Sequence, residues 1–124
     1  TEEGMQNSID VLVRNLRRSN PDAALLLVTP AECQRSTRVG RGRRARKTYS
    51  INSNVALMRQ AILDYGREHH IPTYDWYAVA GGEGSSNEWI DAGLMSSDRI
   101  HDTWTGYALT GKLIYDALIE EIDK

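Results

Sequence analysis

The chain has 124 residues, 40% of them hydrophobic and 26% charged, the balance of one ordinary globular domain or a part of one. Its single cysteine, Cys33, excludes an internal disulfide and favours neither a reducing nor an oxidising compartment, and no apolar run nears the roughly 20 residues that a membrane span needs. The net charge of −2 is uneven: Arg35, Arg38, Arg41, Arg43, Arg44, Arg46 and Lys47 form an acid-free +7 stretch and leave −9 on the rest, which marks a candidate anion-binding feature.

No signal-type segment opens the chain, and because residue 1 is Thr rather than an initiator Met, an upstream segment is left open. Met5, Ile9, Leu12, Val13 and Leu16 recur at helical spacing and predict an amphipathic helix over 5–18. Asn20-Pro21-Asp22 stops it and makes a turn. Ala23 to Val28 is a continuous apolar run, which predicts a strand buried on both faces, as in a parallel sheet; Thr29-Pro30 ends it. Residues 31–50 have no apolar period and are polar, basic and Gly-containing. They read as a long loop, of a length that is usually functional or disordered.

Asn52 or Ser53 caps the next helix, which buries Val55, Met58, Ile62 and Tyr65 and runs to about His69. Ile71 to Tyr77 reads as the second strand, with Pro72 tolerated near its start. Gly81 to Asn87 reads as a flexible loop. It is not a phosphate-binding loop, because no Gly-Lys-Ser/Thr follows and no helix is expected to start on it. Trp89, Ile90, Leu94 and Met95 read as a short packed segment. Tyr107, Ile114, Leu118 and Ile122, with Leu113 and Ala117 beside them, mark the last helix. The alternation of helices and strands argues an α/β chain with a parallel sheet. Two parallel strands leave an edge and a face uncovered, so the sheet is expected to continue in strands outside this chain.

The stretch Ser97-Asp98-Arg99-Ile100-His101 places a carboxylate three residues before an imidazole, a spacing at which a turn lets one reach the other. His101 could then take a proton from a nucleophile while Asp98 holds its tautomer. On spacing alone the other reading stands as well: Asp98 caps a turn and His101 begins the next helix. Trp104, close behind His101, is a candidate pocket wall. The basic stretch 35–47 follows the first strand, and ligands gather at the carboxyl ends of such strands. Arg41, Arg43 and Arg44 are therefore candidates for an anionic substrate, such as an acidic or acylated glycan. Nucleic acid bound through its phosphates and a merely solvated loop are the other readings; the lack of interleaved aromatics lowers the first of these. His69-His70 suits a helix end better than a metal site, because no third ligand stands at a recognisable spacing. No metal and no cofactor is expected. Asp75 could support a site but reads better as structural, and Trp76, Tyr77 and Trp89 read better as packing than as a sugar-binding face.

The Asn20-Pro21-Asp22 turn into Leu25-Leu26-Leu27-Val28-Thr29-Pro30, then Ile71-Pro72-Thr73-Tyr74-Asp75, and above all Asp98-Arg99-Ile100-His101 followed by Thr105-Gly106-Tyr107, resemble the SGNH (GDSL-type) hydrolases. The Gly81-Gly82 loop and Trp89 look like bacterial two-part esterases of that group. The resemblance spans essentially the whole chain but only the family's C-terminal half. It implies a flavodoxin-like three-layer α/β sandwich, of which this chain supplies the last two parallel strands and about three helices. It makes His101 the base and Asp98 its orienter in ester hydrolysis through an acyl-enzyme, and leans to a secreted or periplasmic setting.

The family's Gly-Asp-Ser-type nucleophile block and its Gly and Asn oxyanion blocks have no counterpart here. Ser85 and Ser86 do not fit Gly-x-Ser-x-Gly, and Ser96 and Ser97 stand too near the pair along the chain to be given a role. The expectation is that residues 1–124 are the C-terminal part of one hydrolase domain, inactive alone. The missing N-terminal half or another chain would cover the sheet edge, and the substrate would be a small acyl ester, with carbohydrate esters the candidates. The alternative is a non-catalytic module that uses loop 35–47 to bind an anionic glycan or nucleic acid. An upstream Gly-Asp-Ser-type block separates the two.

Overall fold

The computed structural model describes residues 1–124. The chain forms two compact units, one made of Thr1–Ala31 and Ser53–Gly82 and the other of Glu32–Asn52 and Glu83–Lys124.

In the first unit, helix α1 (Glu2–Ser19) begins where the Thr1 hydroxyl accepts the Gly4 N–H at 3.1 Å. Glu2 and Glu3 lie in its first turn and Arg17 and Arg18 in its last, each sign matched to the helix dipole. It packs on α2 (Ser53–Glu68) around Val13, Tyr65 and Ile71, with Ile9, Leu25 and Leu27 beside them. Leu12 and Leu16, expected inside, are exposed. The predicted parallel pairing is present: β1 (Leu27–Val28) lies beside β4 (Thr73–Tyr74), Leu27 opposite Thr73 and Val28 opposite Tyr74. Both strands are shorter than the 23–28 and 71–77 expected. After Tyr74 the chain turns at once into α3 (Trp76–Val79), because the Asp75 carboxylate caps it through the Ala78 N–H. Nor is the apolar run buried on both faces; Val28 in β1 and Leu26 just before it are 41% and 39% exposed, since a two-stranded sheet gives them nothing to pack on.

Gly66 sets how closely α2 approaches β4. A methyl group there would lie 2.4 Å from Thr73 Cγ2 and 2.9 Å from the Ile71 carbonyl oxygen. His69 stacks on the Tyr65 ring at 4.0 Å between centroids, and His70 takes φ 55° to end the helix. The histidine pair therefore terminates α2, as its position suggested.

In the second unit, residues 34–51 are not the loop expected. Strands β2 (Gln34–Val39) and β3 (Arg46–Ile51) pair antiparallel from Gln34–Ile51 to Val39–Arg46. A one-turn 3-10 segment, Gly42–Arg44, joins them, with Gly40 and Gly42 at φ 88° and 61°. Apart from Gln34 and Tyr49 the ladder is exposed, so it has no buried face to write an alternating pattern into the sequence. Nor is 81–87 all loop: helix α4 (Ser85–Asp91) begins within it after Gly84 turns at φ 87°.

Helix α5 (Trp104–Ile122) is capped by Thr103, whose hydroxyl accepts the Gly106 N–H and donates to the Gly93 carbonyl at 2.7 Å. Gly106 must be glycine for this approach, because a methyl group there would lie 1.9 Å from the Leu94 carbonyl oxygen. Of the face expected inside, Leu113, Ile114 and Ala117 are half-buried, whereas Tyr107, Leu118 and Ile122 are exposed. No helix is long and apolar enough to cross a membrane.

Candidate active site

The turn between Met95 and α5 brings Asp98 and His101 together. Met95 and Asp102 form an antiparallel bridge, and inside it the Ser96 N–H donates to the His101 carbonyl at 2.7 Å while the Arg99 N–H donates to the Ser96 carbonyl at 2.9 Å. Asp98 folds back over its own turn: Oδ1 accepts the N–H groups of Ile100 and His101 at 2.9 and 3.0 Å. Oδ2 lies 2.6 Å from His101 Nδ1. The same carboxylate thus caps the turn and contacts the imidazole, while the helix expected to begin at His101 begins instead at Trp104, capped by Thr103.

The hydrogen bond to His101, helped by the two backbone N–H groups, holds the Asp98 carboxyl down at about 2 from an ordinary 3.8. Asp98 is therefore ionised near neutral pH. A carboxylate can only accept, so Nδ1 carries the proton and Nε2 presents the lone pair, the tautomer a general base needs. The His101 side chain is 68% exposed, so that nitrogen is accessible.

Residues not singled out in the sequence hold this turn. Gln34 is buried. Its backbone N–H donates to the Arg99 carbonyl, its Oε1 accepts Arg99 Nη1 at 2.9 Å, and its Nε2 donates to Ser86 Oγ and Asn87 Oδ1. The Arg99 guanidinium also lies 4.0 Å from the centroid of the Tyr49 ring. Behind Gln34 sits Glu32, 2% exposed, whose Oε1 accepts the Gly84 N–H and whose Oε2 accepts both the N–H and the hydroxyl of Ser86. Burial alone would raise the Glu32 pKa; the Ser86 hydroxyl and the two backbone donors outweigh it and lower it, so the buried carboxylate is ionised and paired. Glu32 and Gln34 stand 52 or more positions from Ser86, Asn87 and Arg99, beyond any local motif.

Trp104 is 92% exposed and lines a groove of about 480 Å³ with Ser96, Asp102, Thr103 and Tyr107. Burial raises the Asp102 pKa against a hydrogen bond from the Thr110 hydroxyl. Arg41, Arg43 and Arg44 stand at the tip of the β2–β3 hairpin; β2 runs between them and Gln34, about 17 Å at the usual rise. Asp75, in the first unit, is held by Arg59 through three contacts of 2.6–3.1 Å and by the Thr29 hydroxyl, and the Arg59 hydrogen bonds lower its pKa. Trp76 and Tyr77 are buried there, which fits packing rather than a sugar face. Ser96 donates to the Asp102 carbonyl and Ser86 to Glu32, so neither hydroxyl is directed to His101. No group of three or more His, Cys, Asp or Glu side chains gathers as a metal site.

No protein-family model and no curated protein matches the sequence. Among solved structures, the chain is similar to the esterase domain of the ZfL2-1 ORF1 protein from the zebrafish ZfL2-1 retrotransposon, with a TM-score of 0.65 and 16% identity. The match covers 97% of this chain and 60% of that one. At that identity the likeness is one of fold: this is a mixed α/β chain with a small parallel sheet and an esterase-like fold.

Proposed function

We propose that this chain is the base-bearing, C-terminal part of an SGNH-type serine esterase domain, in which His101 is the general base and Asp98 its orienter. The carrying observation is the 2.6 Å Asp98–His101 contact, made by a carboxylate that stays ionised and so leaves Nε2 to accept a proton. The fold shared with an esterase domain supports the reading. In the reaction, His101 Nε2 takes the seryl proton as Oγ adds to the ester carbonyl, then returns it to the leaving alkoxide; water repeats the cycle on the acyl-enzyme. The serine and the oxyanion donors come from a further segment, whose strands complete a flavodoxin-like sheet beside β1 and β4. Small acyl esters, with carbohydrate esters the first to try, are the substrate class.

The test is p-nitrophenyl acetate hydrolysis by the polypeptide extended upstream of Thr1. His101→Ala is expected to lower turnover about 10²–10⁴-fold, the range for removing a general base. The 124-residue chain alone is expected to show none. Unchanged turnover in the extended His101→Ala protein rules out the assigned base. Turnover by the short chain that His101→Ala abolishes places the nucleophile inside it.

A further inference from the structure

The seven cations of residues 35–47 take no part in the proposed catalysis. The hairpin fixes them: β2 and β3 hold register to the last pair, and the Ala45 N–H closes the turn on the Gly42 carbonyl at 3.2 Å. That register sets Arg38 directly opposite Lys47, a like-charge pairing that disfavours the ladder. All seven are exposed, and none forms an ion pair with an acid of this chain. No Asp or Glu occurs between Cys33 and Leu63. Arg38, Arg46, Lys47, Gly42 and Ala45 line a notch of about 250 Å³ at the hairpin's end.

We infer that this hairpin end is a binding site for an acidic polysaccharide, whose carboxylate or sulfate groups supply the anions that the fold withholds. Guanidinium forks at fixed spacing suit such planar or tetrahedral oxyanions. Nucleic acid fits less well. No aromatic lies between Arg35 and Lys47, and the Arg99 guanidinium already occupies one face of the Tyr49 ring, so the hairpin end itself offers bases no interleaved aromatic to stack on. The site lies on the strand whose first residue, Gln34, holds the Asp98–His101 turn, so a chain bound at the tip reaches toward the dyad along β2.

Heparin is the probe, with binding to the 124-residue chain followed by fluorescence across a salt series. The pairs Arg38→Ala with Lys47→Ala, and Arg43→Ala with Arg44→Ala, are each expected to weaken binding about tenfold and to lower the slope of log K against log salt by about two. Arg17→Ala with Arg18→Ala, at the end of α1, is expected to change neither. The Arg43 and Arg44 pair lies in the turn, outside the ladder, so it tests the site even where the strand pair misfolds. Equal losses in the α1 control, or none in the hairpin variants, overturn the assignment. So does tighter binding of single- or double-stranded DNA than of heparin at matched salt. Heparin binding needs no nucleophile, so its failure leaves the esterase reading standing, and the converse holds.

Discussion

Glu32→Gln isolates the charge that organises the second unit. The substitution keeps the shape of the side chain but leaves one acceptor oxygen in place of two. If that oxygen stays on the Ser86 N–H and hydroxyl, the new amide faces the Gly84 N–H, donor against donor, at a position now bridged at 2.9 Å. One buried N–H left unmade costs about 1–3 kcal/mol, and the two remaining bonds lose their charge assistance. The expected loss is therefore about 2–4 kcal/mol, read as the shift in the urea midpoint at constant m and pH 7. The pH dependence gives a second signature. Glu32 has its pKa lowered in the folded chain, so its stabilisation is complete above the unfolded carboxyl value and fades as pH falls through the folded one. The gap between parent and variant should close in acid. A shift under about 0.5 kcal/mol at pH 7, the size of a neutral surface change, refutes the role given to the buried carboxylate.

Gly106→Ala drives a methyl group into the Leu94 carbonyl; calorimetry should show it destabilised by about 1–3 kcal/mol, the cost of overpacking, and an unchanged midpoint would mean that α5 slides without penalty. In a carboxyl-carbon NMR titration Asp98 should protonate at about 2, and His101→Ala should return it toward 3.8; an unmoved midpoint would assign the shift to the two backbone donors instead. Arg59→Met strips the main partner from Asp75, and urea unfolding at pH 7 should show a loss of about 1–3 kcal/mol. Asp75 also has a lowered pKa when folded, so that loss should shrink as pH falls through it; a loss that persists in acid would trace to packing of the Arg59 stem.

The Asp98–His101 contact was legible in the sequence because its whole geometry fits within four residues: Asp98 reaches the His101 ring and the N–H groups of Ile100 and His101 through one turn. The pairing of β1 with β4 was legible as well, through the apolar run and the helix between the strands. The ends of those strands were not, since Asp75 starts a helix where the apolar pattern of Trp76 and Tyr77 continues. The hairpin escaped because periodicity records burial, and a ladder wet on nearly every side chain leaves no record. Glu32 and Gln34 escaped for the opposite reason: their bonds are fixed by how the chain returns on itself, and nothing local distinguishes a buried Glu from a solvated one.

Arg99 sits at φ 61°, a backbone region in which an L side chain is strained and glycine is at ease. Judged by conformation alone, glycine is the improvement that a stabilising redesign would choose at this position. Yet the arginine is what fastens the turn to Gln34 and Tyr49. Here local comfort and tertiary anchorage select different residues. An engineered chain that relaxed the backbone would keep the Gln34 N–H on the carbonyl of residue 99 but lose both side-chain ties, and would trade part of the anchorage of the His101 turn for a quieter Ramachandran plot.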